Sequence, residues 1–274
     1  PLAFPYRDPQ VAISSVNQGA AFIVTSLAEA RRRGIPDERL VHIGYGAAAH
    51  ESGNFLARDR YDHSPSLATS IERAMALNEI GTNDLAHVEL YSCFPCVPKM
   101  ARRVLDWPIE KPVTVFGGLT FGGGPIGNYM SHAVVAMAEK LRGTDGRGLL
   151  FANGGYATHN HAIMLSGAPT GAHFPQDFDY QTEADGRRGE VPPIDEDYAG
   201  PAVIETYTVH YDRAGSPKSG VIVALTPNGS RTLAKVPADD GETIAFLTDG
   251  RCEPVEASGN IERRRDGLAL WQRS

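Results

Sequence analysis

The residues best suited to chemistry in this chain fall in three short runs. They are Glu89-Leu90-Tyr91-Ser92-Cys93-Phe94, the glycine-rich Phe116-Gly117-Gly118-Leu119-Thr120-Phe121-Gly122-Gly123-Gly124-Pro125-Ile126-Gly127-Asn128, and Ala152-Asn153-Gly154-Gly155. The glycine-rich run follows a β-like Val113-Thr114-Val115 and opens an apolar helix that reaches Leu141. A strand that turns through glycines into a helix leaves N–H groups unpaired. Such groups favour a phosphate, a carboxylate or a developing oxyanion. Glycines also let another molecule approach the backbone. The same turn would serve equally well to pack a helix tightly on a sheet. It holds neither a G-x-G-x-x-G nor a P-loop lysine.

Single residues carry paired readings. Cys93 is either a proton-transfer group, activated by the helix that follows it or by a nearby cation, or a buried inert thiol. Cys96, one helical turn on, is expected to pack. Together they form a C-x-x-C, but no second pair completes a zinc site, so no metal is expected. With Cys252 the set is odd and sparse, the usage of a reduced, cytoplasmic chain. Tyr91 is a donor into a site or a core aromatic with a tethered hydroxyl. His132 lies two turns into the helix after the glycines, as a ligand contact or a core histidine. His159 and His161 alternate on a strand without a third metal ligand. Arg31-Arg32-Arg33 ends a short helix, where cations suit a solvated face.

The elements that must hold these runs follow from periodicity and punctuation. Ala20 to Ser26 is a continuous apolar run, expected as a buried strand. Leu27 to Arg33 reads as a helix and Val41 to Gly46 as a strand. Ser64-Pro65 is a helix start, with apolar residues at Leu67, Ile71, Ala74, Met75 and Leu77 before Gly81. His87 to Ser92 is expected as a strand, Val97 to Leu105 as a helix, and Gly148 to Ala152 and Ala162 to Leu165 as strands. Alternating strands and helices imply a layered α/β domain with some antiparallel pairing. Residues 168–200 are rich in Pro, Gly, Asp and Glu and read as a linker or surface loop. From residue 201 the pattern is strand throughout. It has a Pro227-Asn228-Gly229 hairpin turn, a strand over Thr243–Leu247 and a last strand at Leu268–Trp271. The expected domains are therefore 1–167, a linker at 168–200, and a small β-rich domain at 201–274.

The chain has 274 residues, a net charge of −7, 42% hydrophobic and 22% charged residues. This is the composition of a globular protein, and the negative charge argues against nucleic acid or an anionic membrane as partner. No 18-residue apolar run and no leader pattern is visible, so neither a membrane span nor a secretory signal is expected. The first residue is Pro1, and the chain is expected to be part of a longer protein.

The order and spacing of the three runs, with their intervening helices and the β tail, resemble the C-terminal half of the thiolase superfamily. The likeness is in particular to sterol-carrier-type thiolases and the type 1 thiolase-like proteins often labelled acetyl-CoA acetyltransferase. It runs from about Val16 to Leu165, and the tail from Ala202 resembles the extra C-terminal domain of the type 1 proteins. The resemblance implies a thiolase-type layered α/β half followed by a small β-rich domain. It also implies acyl transfer on coenzyme A thioesters with no tightly bound cofactor.

The acyl-group nucleophile of the superfamily lies in an N-terminal half that this chain lacks. A missing half or an intimate partner chain, and an oligomer, are therefore expected. Cys93 matches the acid/base cysteine of the sterol-carrier loop, with Tyr91 where that loop has histidine and Phe94 following. Gly124 stands at the histidine of Gly-His-Pro, before Pro125 and after Gly123. It could offer only its backbone N–H to a thioester oxygen. Ala152 stands at the cysteine of Cys-x-Gly, before Asn153, Gly154 and Gly155. Asn128 and His132 complete the substrate-contact set. Losing an oxyanion donor costs about a hundred- to a thousandfold in rate, so ordinary thiolysis is not expected at full rate. Two further readings suit these departures. One is a thiolase-fold retro-aldol lyase on acyl-CoA that uses tyrosines as acid/base and pairs with a small β-rich partner. The other is a non-catalytic CoA-ester-binding protein.

Overall fold

The computed structural model describes residues 1–273. The chain divides into two compact units. One comprises Pro9–Gly53 and Asp62–Arg188; the other comprises Pro1–Asp8, Asn54–Tyr61 and the chain from Gly189 onward.

The first unit runs α1 (Leu27–Arg32), β1 (His42–His50), α2 (Pro65–Leu77), β2 (His87–Tyr91), α3 (Cys96–Leu105), α4 (Gly118–Gly122), α5 (Tyr129–Leu141), β3 (Arg147–Gly154), β4 (His159–Ser166) and α6 (Gln181–Gly186). The sheet order is β1-β4-β3-β2, parallel only between β2 and β3. Successive residues of a strand face opposite sides, and β3 shows the result. Leu149 and Phe151 join Leu67, Ile71, Val97 and Ala101 of α2 and α3 in one core. Leu150 joins Ala133, Met137 and Leu141 of α5 in another. The sheet is thus covered on both faces, as the layered expectation requires. Each such Leu or Phe contributes about 1.5–3 kcal/mol by leaving water.

The Ser64-Pro65 start holds as expected. The Ser64 hydroxyl accepts from Leu67 N at 3.2 Å and donates to Glu51 Oε1 at 2.6 Å.

Three expectations for this unit fail. Ala20–Ser26 forms no strand, and Ile23 is 93% exposed. An apolar run becomes a strand only where a ladder partner and a covered face exist, and none pairs with it among the described residues. Val113–Val115 is not a strand either; it gives β2 one bond, Leu90 N to Val113 O at 2.9 Å. The helix after the glycines is split into α4 and α5 by the turn at Gly123–Asn128.

The stretch after Gly167 is ordered along β1. Ala48 donates to Phe178 O (2.6 Å), and its carbonyl accepts from Tyr180 N (3.0 Å). Gly46 N and His50 N donate to the side-chain oxygens of Gln176 and Gln181, both at 2.8 Å. The same two amides donate back to Gly44 O and His50 O.

The second unit is a closed five-stranded barrel of order β5-β6-β7-β9-β8. The strands are β5 (Gly200–Tyr211), β6 (Pro217–Leu225), β7 (Arg231–Pro237), β8 (Ser258–Arg263) and β9 (Ala269–Arg273), with α7 (Gly241–Thr248) between β7 and β8. All pairs are antiparallel except β7 with β9. Strand number and order are those of an OB-type barrel. Its core holds Ile204, Val209, Ile222, Val236, Leu247, Ile261 and Trp271. A Cβ on Gly259 would meet Trp271 Cζ2 at 2.2 Å, so only glycine admits the indole there.

Thr243–Leu247 is helical, not a strand. Asp240 accepts from Thr243 N at 3.0 Å and caps it, with Glu242 in the first turn. Arg231, just past the Pro227-Asn228-Gly229 turn, is fully buried. It forks onto Glu205, with Nε–Oε2 at 2.6 Å, and donates to Leu56 O and Arg58 O at 2.5 Å. Its guanidinium lies 4.8 Å over the Tyr61 ring.

Candidate functional site

β2 is buried on both faces at Val88, Glu89 and Leu90. Two residues apart, Glu89 and Tyr91 point to the same side. The chain then leaves the sheet through Ser92–Pro95, where Ser92 Oγ accepts from Phe94 N (3.2 Å) and Cys93 O accepts from Ala12 N (3.2 Å). The Tyr91 hydroxyl lies 3.5 Å from Cys93 Sγ. Burial, then the bond to Cys93, pushes the Tyr91 phenol well above the ordinary tyrosine range. At neutral pH it is a hydroxyl and can donate. Cys96 is exposed at the first residue of α3, so its expected packing role is not found.

The parallel register sets Tyr91 beside Ala152, and Ala152 pairs with His161 across β4. Two of the three runs therefore share one end of the sheet. Asn153 is buried there, and its Oδ1 has no hydrogen-bond partner. Gly154 ends β3, and Gly155 follows with φ +62°. Burial, then the neighbouring His159, holds His161 below the usual histidine value.

The glycine-rich run behaves differently from its expectation as an open anion nest. Val115 N and Phe116 N donate to Glu89 Oε2 at 2.9 and 3.1 Å. Gly117 N and Gly118 N donate to Thr114 Oγ1 at 2.9 and 3.1 Å. The Thr114 hydroxyl in turn gives its proton to Glu89 (2.8 Å to Oε2). The nest is filled by the protein's own carboxylate.

Further along, Gly123 N donates to Leu119 O and Gly124 N to Ile13 O, both at 2.8 Å. The Gly124 N–H is thus spent, which corrects the expectation that it could serve a thioester oxygen. Nor is there room for a side chain: a Cβ on Gly124 would lie 2.6 Å from Ala12 Cβ. Pro125 O accepts from Asn128 N at 2.9 Å, which closes the turn into α5. Gln18 Nε2 donates to Gly122 O, and Asn128 Nδ2 to Gln18 O at 3.4 Å.

Behind the run stands an aromatic stack. Tyr91 lies on Tyr129 with centroids 4.1 Å apart. Phe116 meets Tyr129 edge-on at 5.2 Å and stacks on His132 at 5.1 Å. His132 Nε2 is 3.3 Å from Asn128 Nδ2. The Tyr129 hydroxyl donates to Glu89 Oε1 at 2.9 Å, and its phenol too is raised, by burial and then by the Glu89 charge.

A pocket of about 200 Å³ opens here, lined by Glu89, Tyr91, Phe94, Thr114, Leu119 and Tyr129 among others. Of the residues expected at the site, Tyr91 and Phe94 line it, and Cys93 reaches it through the Tyr91 hydroxyl. Gly123, Gly124, Pro125, Asn128, His132, Asn153, Gly154 and Gly155 lie outside its lining. Sequence reasoning placed Glu89 in the first run but gave no role to Glu89, Thr114 or Tyr129. The available signal was an acidic residue inside an apolar strand, which needs buried donors. Among the described residues no three His, Cys, Asp or Glu side chains converge as metal ligands, and no helix is long and apolar enough to cross a membrane.

Comparison with known proteins agrees with the geometry. Residues 183–266 match the model of the thiolase-like protein type 1 additional C-terminal domain. The whole chain aligns with the crystal structure of a monomeric SCP2-thiolase-like protein type 1 from Mycobacterium smegmatis, with TM-score 0.82 and 28% identity, and it spans 59% of that protein's length. A second solved structure, Acat5 thiolase from Ascaris suum in complex with coenzyme A, aligns with TM-score 0.39 at 17% identity. That alignment covers 50% of this chain and 33% of the thiolase. No curated protein matches the sequence. The two-face-covered α/β sheet and the additional C-terminal domain are thus similar to those of type 1 thiolase-like proteins.

Proposed function

We propose that this chain forms the acyl-CoA-handling part of a longer thiolase-like acyltransferase, with Cys93 as proton donor and acceptor and Tyr91 as its hydrogen-bonding partner. The observation that carries the reading is the Tyr91 hydroxyl 3.5 Å from Cys93 Sγ at the rim of a half-open pocket. A thiol beside a protonated phenol can give a proton to a departing thiolate or carbanion and take it back in the next step. Coenzyme A thioester is the ligand, cytoplasmic lipid metabolism the setting, and the acyl-group nucleophile comes from an upstream half or a partner chain.

A second reading is retro-aldol cleavage of an acyl-CoA. It is favoured by Gly124: no imidazole stands at that position, and its N–H is already bound to Ile13. Tyr91 then supplies the proton chemistry.

The test is turnover by the longer protein, with 3-oxoacyl-CoA and free CoA in one assay and 3-hydroxyacyl-CoA in the other. Acyl transfer yields two thioesters; cleavage yields a free carbonyl compound. Cys93→Ala and Tyr91→Phe are each expected to lower the rate by about 10²–10⁴-fold. A Cys93→Ala protein that keeps its full rate in both assays overturns the role given to Cys93. Titration of this chain with acetyl-CoA then decides whether binding alone remains.

A further inference from the structure

We infer that Glu89 is the positioning residue of the Tyr91–Cys93 pair, acting through Tyr129 and the Thr114–Phe116 turn. This rests on the reading of that pair given above.

Glu89 is 1% exposed. Its Oε1 accepts from Tyr129 Oη and Thr114 Oγ1, both at 2.9 Å. Its Oε2 accepts from Thr114 Oγ1 and from Val115 N and Phe116 N. Every partner donates, so the group acts purely as an acceptor, which only a carboxylate does at both oxygens. One side chain therefore ties together three elements that are distant in sequence: strand β2, the turn before α4 and the first residue of α5.

The effect reaches Tyr91 by contact. Glu89 holds the hydroxyl end of Tyr129, and the Tyr129 ring is the surface on which the Tyr91 ring lies. Glu89 also holds the backbone of Phe116, whose ring meets Tyr129 edge-on. With its hydroxyl held and Phe116 against its ring, Tyr129 supports the Tyr91 ring where the Tyr91 hydroxyl faces Cys93. Glu89 itself is two residues back on the strand and its oxygens are fully engaged. Its hydrogen bonds run to Tyr129 and the Thr114–Phe116 turn, so its role is placement and not proton transfer.

The experiment reads Tyr91 directly. The chain is prepared with ring-labelled ¹³Cζ-tyrosine, and the Tyr91 resonance is identified by its loss in Tyr91→Phe. Two variants are compared with the parent. Glu89→Gln keeps the shape but presents an amide to N–H donors. Tyr129→Phe keeps the ring and deletes only its hydroxyl, and with it the bond to Glu89. In both, the Tyr91 hydroxyl proton, followed at pH 7 by the H/D isotope splitting of its ¹³Cζ line, is expected to exchange with water at least threefold faster, as the ring loosens and gains water. Alkylation of Cys93 by iodoacetamide in a Cys96→Ser, Cys252→Ser background is expected to speed up at least threefold in parallel.

A role confined to stability would lower the melting temperature and leave the exchange of the Tyr91 hydroxyl in the folded protein where it was. That result overturns the inference, and Tyr129→Phe alone decides it if Glu89→Gln does not fold. The outcome is separable from the proposed function. Faster Tyr91 exchange in a protein that handles no CoA ester keeps the positioning role and removes the activity. Unchanged Tyr91 exchange in a protein that turns over acyl-CoA does the reverse.

Discussion

Replacing Arg231 by methionine tests how the barrel unit is held together. Arg231 is fully buried. It contributes a two-pronged ion pair to Glu205, donors to the carbonyls of Leu56 and Arg58, and a cation over Tyr61. Methionine fills much of the volume and replaces none of these. Glu205, whose side chain is 17% exposed, is left with an unpaired charge, and two carbonyls lose their donors. Removing one partner of a buried ion pair costs about 3–5 kcal/mol, a large part of the 5–15 kcal/mol that stabilises a typical domain. With a urea slope of about 2 kcal/mol/M, the unfolding midpoint of the barrel should fall by roughly 2 M. The two tryptophans make the assay local, because Trp271 lies in the barrel core and Trp107 in the α/β core. Tyrosine-free excitation of a Trp107→Phe background therefore follows the barrel alone. Pairing Arg231→Met with Glu205→Leu removes both charges and should return most of the loss, since an apolar pair of similar volume is often no worse than an ion pair. If Arg231→Met costs less than about 1 kcal/mol, the guanidinium is not the anchor described here.

Three smaller perturbations follow from the same contacts. Ser64→Ala deletes both the cap on Leu67 N and the donor to Glu51, and should cost about 1–2 kcal/mol in urea unfolding; a change of a few tenths would show that the cap is not needed. Burial pushes the Glu51 carboxyl up, but hydrogen bonds from Ser64 and Ser66 and the Arg188 charge together hold it below the usual carboxylate range. A depressed value adds stability that is present above the unfolded value of about 4.3 and is lost as pH falls through the lower folded one. Glu51→Gln should therefore flatten the acid limb of stability measured from pH 6 to 3, and an unchanged limb would contradict this. Gly124→Ala must push Ala12 aside and should cost about 1–3 kcal/mol as overpacking; an unchanged melting temperature would show that the Ile13–Ala12 segment yields freely.

Legibility in the sequence followed the range of the physics. Ser64-Pro65 and Pro227-Asn228-Gly229 were readable because a cap or a turn is decided by two or three adjacent residues. The layered α/β order was readable because β3 carries a continuous apolar run, Gly148–Ala152, and α2 an apolar stripe opened by Ser64-Pro65. Thr243–Leu247 does not declare itself because a five-residue run does not separate a period of 2 from one of 3.6, and the deciding residue, Asp240, lies outside the run. Ala20–Ser26 was misread because a strand needs a partner that its own residues do not specify. At the site, Tyr91, Cys93 and Phe94 were found by local motif. The role of Glu89 was not, because its donors come from residues 114–116 and 129, and no local pattern announces a carboxylate with distant partners. Arg231 was hidden in the same way: an arginine after a hairpin turn reads as solvated until Leu56, Arg58 and Glu205 are brought around it.

The segment along β1 bears on solution behaviour. β1 is poor in side chains that fix pairing, with Gly44, Gly46 and three alanines in nine residues. A flat, small-residue strand at a sheet margin is a natural template for foreign strands, since its register is weakly specified. Here Phe178 and Tyr180 occupy the middle of that margin, and the amides of Gln176 and Gln181 close it on either side. An incoming strand finds its hydrogen-bonding positions taken. The acidic, proline-rich stretch therefore acts as a guard against edge-to-edge aggregation, and a shortened version ending near Gly167 would bare a ready nucleus for it.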